Sequence, residues 1–151
     1  MNQGFSASVR DLPGAVVIDL QGEINAFADQ GPFHLVQIDA HLDFVDERHG
    51  VRYGHGNPMR RAAEKPYVTG LSQIGIRNVS STAKSGYDDA RAMGSDILSV
   101  RHLRAMGVAA VLERIPAGVN YYVTIDIDGF DPSIAPGTGT PSHGGFLYYE
   151  V

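Results

Sequence analysis

Residues 120–131 read NYYVTIDIDGFD: an apolar run of strand type that ends in three acids, Asp126, Asp128 and Asp131. A second stretch, FHLVQIDAHLDF at 33–44, repeats the pattern, with Asp39, His41 and Asp43 following an apolar run. Both runs are apolar on both faces, which marks strands covered by other layers on each side. Further strands are expected at AVVIDL (15–20), TGLSQIGIR (69–77) and DILSV (96–100). Helical stretches alternate with them. NPMRRAAEK opens with Asn57 as N-cap and Pro58 at the first helical position. GYDDARAMG ends at Gly94 as a C-cap. RHLRAMGVAAVLERI (101–115) is the longest and is stopped by Pro116, despite the helix cost of Gly107 within it. This alternation predicts an α/β fold, a three-layer α/β/α sandwich around a mainly parallel sheet, in a single domain over 1–151.

In parallel sheets of this kind, ligands bind beyond the carboxyl ends of the strands. The acids of both stretches stand there. Residues i and i+2 of a strand share a face, so Asp39 and His41 point together, as do Asp126 and Asp128. If the two strands are neighbours, four carboxylates and an imidazole converge on one crevice. Unpaired burial of so much charge is very costly, and protonation or a metal ion relieves it. A lone Asp after a strand is usually a turn or cap residue, and Asp131-Pro132 reads that way. Two such clusters on separate strand ends are harder to explain as turns. The donors are oxygen-rich with no thiolate, which favours Mn²⁺ or Mg²⁺ over structural zinc. Calcium is the rival, but the spacing lacks the EF-hand loop with its twelfth-position Glu. Carboxylates this numerous suit two ions about 3.5–4 Å apart, a pair able to activate water near neutral pH.

The composition fits this reading and removes others. Apolar residues make up 43% and charged residues 19%, a folding rather than a disordered balance. With no cysteine, disulfides, thiolate zinc and Cys nucleophiles are excluded. A net charge of −5 and short basic clusters such as MRRAAEK argue against nucleic acid as a partner. No apolar run approaches the ~20 residues of a membrane span, and the N-terminal MNQGFSASVRDLPG lacks the apolar core of a secretory leader. A cytoplasmic location is expected.

IDAHLDF and IDIDGFDPSIAPGTGTPSHGG together resemble the two signature motifs of the ureohydrolase family, the arginases, agmatinases and related guanidino-hydrolases. The resemblance runs from about Phe33 to the end of the chain. It implies an arginase-like fold, two Mn²⁺ per subunit, a homo-oligomer, and hydrolysis of a guanidinium group to urea and an amine. Asp39, His41, Asp43, Asp126 and Asp128 become metal ligands by that resemblance. YGHGNPMRRA resembles the family's His-Gly segment, with His55 as the proton shuttle to the leaving amine and Asn57 on the substrate side. Thr140 matches a substrate-loop threonine whose hydroxyl can meet guanidinium nitrogens. ERHGVRYGHGNP lacks the Asn or Ser-Gly-Asn arrangement with which arginases hold an α-carboxylate, so agmatine or a similar guanidine is the expected substrate. Arg48 and Arg52 keep guanidinobutyrate open.

The sequence also departs from the family pattern. Members are about twice this length, and this chain reads as truncated at both ends. The Gly-Gly-Asp-His segment that carries a further metal-binding His is absent, and VVIDLQGEINAFADQGPF stands in its place. Asp19 or Glu23 is the nearest replacement by position. The family's guanidinium-binding Glu would lie past Val151, and Glu150 instead resembles a residue used in subunit contacts. A catalytically inactive module that binds metal or a partner chain is therefore the alternative to a hydrolase.

Overall fold

The computed structural model describes residues 6–12, 15–21 and 31–151. It divides into two compact units, residues 1–31 and 32–151. The first contains an antiparallel ribbon of β1 (Ser6–Leu12) and β2 (Ala15–Gln21), registered from Ser6 opposite Gln21 to Leu12 opposite Ala15. The strand expected at 15–20 is there. Its partner at 6–12 was not anticipated, because SASVRDL alternates too weakly to stand out. Glu23, one of the two suggested replacement ligands, lies outside the described residues, and Asp19 belongs to β2.

The second unit is built on a four-stranded parallel sheet in the order β5-β4-β3-β6. Its strands are β3 (Phe33–Ile38), β4 (Val68–Ile74), β5 (Ser95–Leu98) and β6 (Asn120–Ile125). The parallel α/β layering expected from the sequence is therefore present. The decisive pairing is β3 with β6, in unbroken register from Phe33 opposite Asn120 to Ile38 opposite Ile125. The two acidic stretches leave adjacent strands at the same level.

Four short helices connect the strands: α1 (Pro58–Ala63), α2 (Lys84–Ala92), α3 (Val100–Met106) and α4 (Val108–Leu112). The single helix expected over 101–115 is broken in two at Gly107, whose φ of 85° is left-handed and ends α3. The strand expected to reach residue 100 stops at Leu98. Ser99 instead caps α3, its Oγ accepting from His102 N at 3.2 Å.

Val36, Ile74, Leu98, Val100, Leu103, Val111 and Phe146 form a core on one face of the sheet. The opposite face of the central strands is equally buried, with Leu35, Gln37, Leu71 and Gln73 at 0–1% exposure. At the outer strand the cover stops: Tyr121, Val123 and Ile125, on the same face as Val36, are exposed.

Candidate metal centre

The site forms just past the ends of β3 and β6. Strand geometry does not extend into it: β3 ends at Ile38 and β6 at Ile125, so the strand alternation expected to align Asp39 with His41 and Asp126 with Asp128 does not apply there. Asp126 N donates to Ile38 O at 2.9 Å, which closes the sheet. Ile127–Gly129 then wind into a 3₁₀ turn, because the Asp126 carboxylate accepts Asp128 N at 3.0 Å. The turn separates the two acids: Asp126 is exposed and Asp128 is buried. Across the gap, Asp128 Oδ1 accepts Ala40 N at 3.3 Å, stitching the two strand ends together.

Asp39, His41 and Asp128 come together, each offering one ligand atom within 4.8 Å of the others. His41 Nδ1 lies 3.1 Å from Asp128 Oδ2 and 3.5 Å from Asp39 Oδ1. Asp43 and Asp126 stand outside this trio but share its field. Burial, then the charges of Asp43, Asp128 and Asp126, push the Asp39 carboxyl up to about 8, against the pull of the His41 N–H. Burial, then Asp126 and Asp128, raise Asp43 to about 7. Among the described residues no Lys or Arg forms an ion pair with Asp39 or Asp128. Carboxylates held near one imidazole, buried and short of positive charge, fit a hard divalent cation.

Two glutamines hold the first acid in place. Gln37 Nε2 donates to Asp39 Oδ2 at 2.7 Å, and Gln73 Nε2 donates to Gln37 Oε1 at 2.6 Å and to Leu42 O at 2.7 Å. Asp39 Oδ1 also accepts His41 N at 2.6 Å. Gln37 and Gln73 were not singled out from the sequence; the available signal was an amide at a buried position in each of two neighbouring strands. Gly75, at φ 102°, permits the close approach of β4, since a Cβ there would lie 2.8 Å from Asp39 O and from the Phe146 ring.

Asp43 adopts φ 53°, and its carbonyl accepts Met59 N and Arg60 N at 3.1 and 3.3 Å, so the start of α1 is tied to the acidic turn. Val45 N to Gly56 O (3.0 Å) closes the intervening loop. Asn57 is buried at the N-cap position, but its side chain does not cap α1. Its Oδ1 accepts Gly54 N (2.9 Å), and its Nδ2 donates to Val45 O (2.6 Å) and Asp46 O (3.3 Å). These bonds flank His55, which is exposed on the loop. Thr140 donates its hydroxyl to Asp128 Oδ2 at 2.7 Å, placing the glycine-punctuated loop directly on the acidic cluster. Thr138 Oγ1 accepts Thr140 N (3.2 Å), a bond internal to the loop. Asp131 likewise holds its loop: a hydrogen bond from the Ser133 side chain, then the N–H groups of Ser133, Gly144 and Gly145, lower its carboxyl to about 2.

This arrangement, two acidic strand ends joined by a threonine loop, can be set beside known proteins. A sequence model of the arginase family matches residues 20–151. The chain belongs to the arginase family. It is 37% identical over 134 residues to proclavaminate amidinohydrolase of Streptomyces clavuligerus, covering 85% of this chain and 42% of that protein. It is 38% identical to guanidinopropionase of Pseudomonas aeruginosa, covering 83% and 41%. The solved proclavaminate amidino hydrolase structure superposes with a TM-score of 0.74 at 35% identity, covering 83% of this chain and 44% of that one. An arginase from Medicago truncatula gives 0.72 at 30% identity, covering 83% and 40%. This arginase-family chain thus spans about two fifths of the length of the curated relatives it matches.

Proposed function

We propose that this chain holds the metal centre of an agmatinase-like hydrolase that converts a guanidino compound to urea and an amine. The observation that carries the reading is the trio Asp39, His41 and Asp128, its two carboxylates buried and its imidazole half-buried, with Asp43 and Asp126 adding charge, at adjacent strand ends of an arginase-family chain. Asp39, His41, Asp43, Asp126 and Asp128 would hold two Mn²⁺ ions, and a bound pair supplies the positive charge that activates water toward a guanidinium carbon.

The chain's own side chains supply the rest. Thr140 spends its proton on Asp128, so its oxygen lone pairs are left to accept a guanidinium N–H. His55 would pass a proton to the departing amine, a task suited to imidazole in the neutral range. Asn57 acts here through the loop that bears His55 rather than on the substrate, because its polar atoms are committed to Gly54, Val45 and Asp46.

Agmatine is the favoured substrate. Arg52 is paired with Asp46 at 3.2 Å and Arg48 donates to Ser81 O, so both cations offered for a substrate carboxylate have other partners. A guanidino acid is the second reading, favoured by the 38% identity to a guanidinopropionase. We further propose that the chain acts in the cytoplasm as a homo-oligomer, the latter supported by the uncovered row Tyr121, Val123 and Ile125. No helix among the described residues is long and apolar enough to cross a membrane.

Urea release from agmatine, guanidinobutyrate, guanidinopropionate and arginine, measured on the Mn²⁺-loaded chain, tests the reading. Turnover highest with agmatine is expected. Bound Mn²⁺ with no urea from any of them would leave the inactive metal-binding module in its place.

A further inference from the structure

We propose that Arg77 is a positioning residue that locks the Thr140-bearing loop onto the Asp128 turn. The inference rests on the metal-centre reading for its purpose, although its geometry is independent of any activity. Arg77 lies three residues past β4, where its N–H and that of Asn78 both donate to Ala40 O at 3.0 Å, between Asp39 and His41. From that anchor the guanidinium reaches two loops at once. On the ligand turn, Nη2 donates to Asp128 O (2.6 Å) and Phe130 O (3.3 Å), and Nη1 to Gly129 O (3.2 Å). On the substrate loop, Nη2 donates to Ser142 O (2.6 Å) and Nε to His143 O (3.1 Å). Nη1 also meets Gly75 O at 3.2 Å.

Six carbonyls thus share five N–H donors, and no carboxylate takes any of them. The Arg77 charge is felt by Asp128, Asp131 and Asp39, but its fork is not turned to any of them. The fork is spent on backbone, which is what fixing the mutual position of two irregular segments requires. Asn78 adds to the clamp, with Nδ2 donating to Ser142 Oγ at 3.1 Å. The consequence falls on Thr140, two residues before Ser142. Its hydroxyl reaches Asp128 Oδ2 only while the loop is held against the turn.

Lysine keeps the charge but offers a compact point donor that cannot span both loops. Arg77→Lys therefore separates clamping from electrostatics, and Arg77→Gln is the uncharged companion. Amide hydrogen exchange on the full chain is the first readout. Both variants are expected to exchange faster by about tenfold or more across 138–146, with 33–38 and 68–74 unchanged. The second is a double-mutant cycle read in the Mn²⁺ dissociation constant. Thr140→Val weakens Mn²⁺ binding in the wild-type background and has little further effect in Arg77→Lys. Uniform acceleration, loss of fold in both variants, an unchanged 138–146 segment, or additivity in the cycle would each overturn the proposal. Absence of urea release would count against the hydrolase reading alone, since neither readout depends on turnover.

Discussion

Asp43→Asn is expected to stabilise the metal-free protein at pH 8 while weakening its hold on metal. In the folded chain the Asp43 carboxyl sits at about 7 rather than its ordinary 3.8, because of burial and the charges of Asp126 and Asp128. A folded-state value above the unfolded one means that folding favours the protonated form. The penalty is absent below pH 3.8, grows as pH rises towards 7, and is constant above. Its ceiling is about 4 kcal/mol, and solvent screening at a half-buried site leaves about 1–2 kcal/mol. Asparagine removes the charge, tolerates φ 53°, and leaves the Asp43 carbonyl free to accept Met59 N and Arg60 N as before. In a chain of this size 1 kcal/mol moves Tm by about 2–4 °C, so Asp43→Asn should melt roughly 2–8 °C higher than wild type in chelator at pH 8. At pH 4 the two should nearly coincide. Added Mn²⁺ should raise the wild type more than the variant. Thermal unfolding monitored by circular dichroism gives all three comparisons. A variant less stable than wild type in chelator at pH 8 would refute the argument, since the carboxylate would then be stabilising the fold rather than awaiting a cation.

On the proposed ligand set protons and metal compete for the same carboxylates, so Mn²⁺ affinity should climb between about pH 6 and 8, as Asp43 (about 7) and then Asp39 (about 8) lose their protons. Calorimetric titration at several pH values checks this, and a flat profile would contradict it. Asn57→Ala strips the loop at 45–57 of three partly buried hydrogen bonds, to Gly54 N, Val45 O and Asp46 O, a loss of about 1–3 kcal/mol in urea unfolding. Turnover should fall further than metal content in that variant. Gly145→Ala places a Cβ 2.4 Å from Phe130 C and 2.5 Å from Asp131 N, so the Phe130–Phe146 bridge must open. A lowered Tm and a weakened response to Mn²⁺ should follow; an unchanged melt would show that the loop can shift freely.

Much of the frame was legible because apolar runs and their acidic ends are local signals. FHLVQI and NYYVTI announce parallel strands, although only the first is covered on both faces as expected, and IDAH and IDID mark where those strands stop. Their adjacency, which brings Asp39 and Asp128 to one place, was a condition the sequence could only pose. The fine geometry was less visible. Period-two reasoning put Asp126 and Asp128 on one face, but the Asp126 side chain captures Asp128 N and turns the chain into 3₁₀. Gly107 counted as a modest helix cost, whereas its left-handed φ divides the helix. Gln37 and Gln73 fell inside runs read as apolar, and their meaning appears only once two strands are side by side. Arg77 was hidden more deeply, because five of its six partners are carbonyls 51 to 66 residues away and backbone carries no residue-type signal.

Manganese per chain, counted by elemental analysis after Mn²⁺ loading and gel filtration, tests the central claim most directly. The account predicts about two ions per folded chain, the number a paired-ion hydrolase uses, with most of that metal lost in Asp128→Asn. A folded wild-type chain that retains no manganese, or an Asp128→Asn chain that retains it all, would contradict the site described around Asp39, His41 and Asp128.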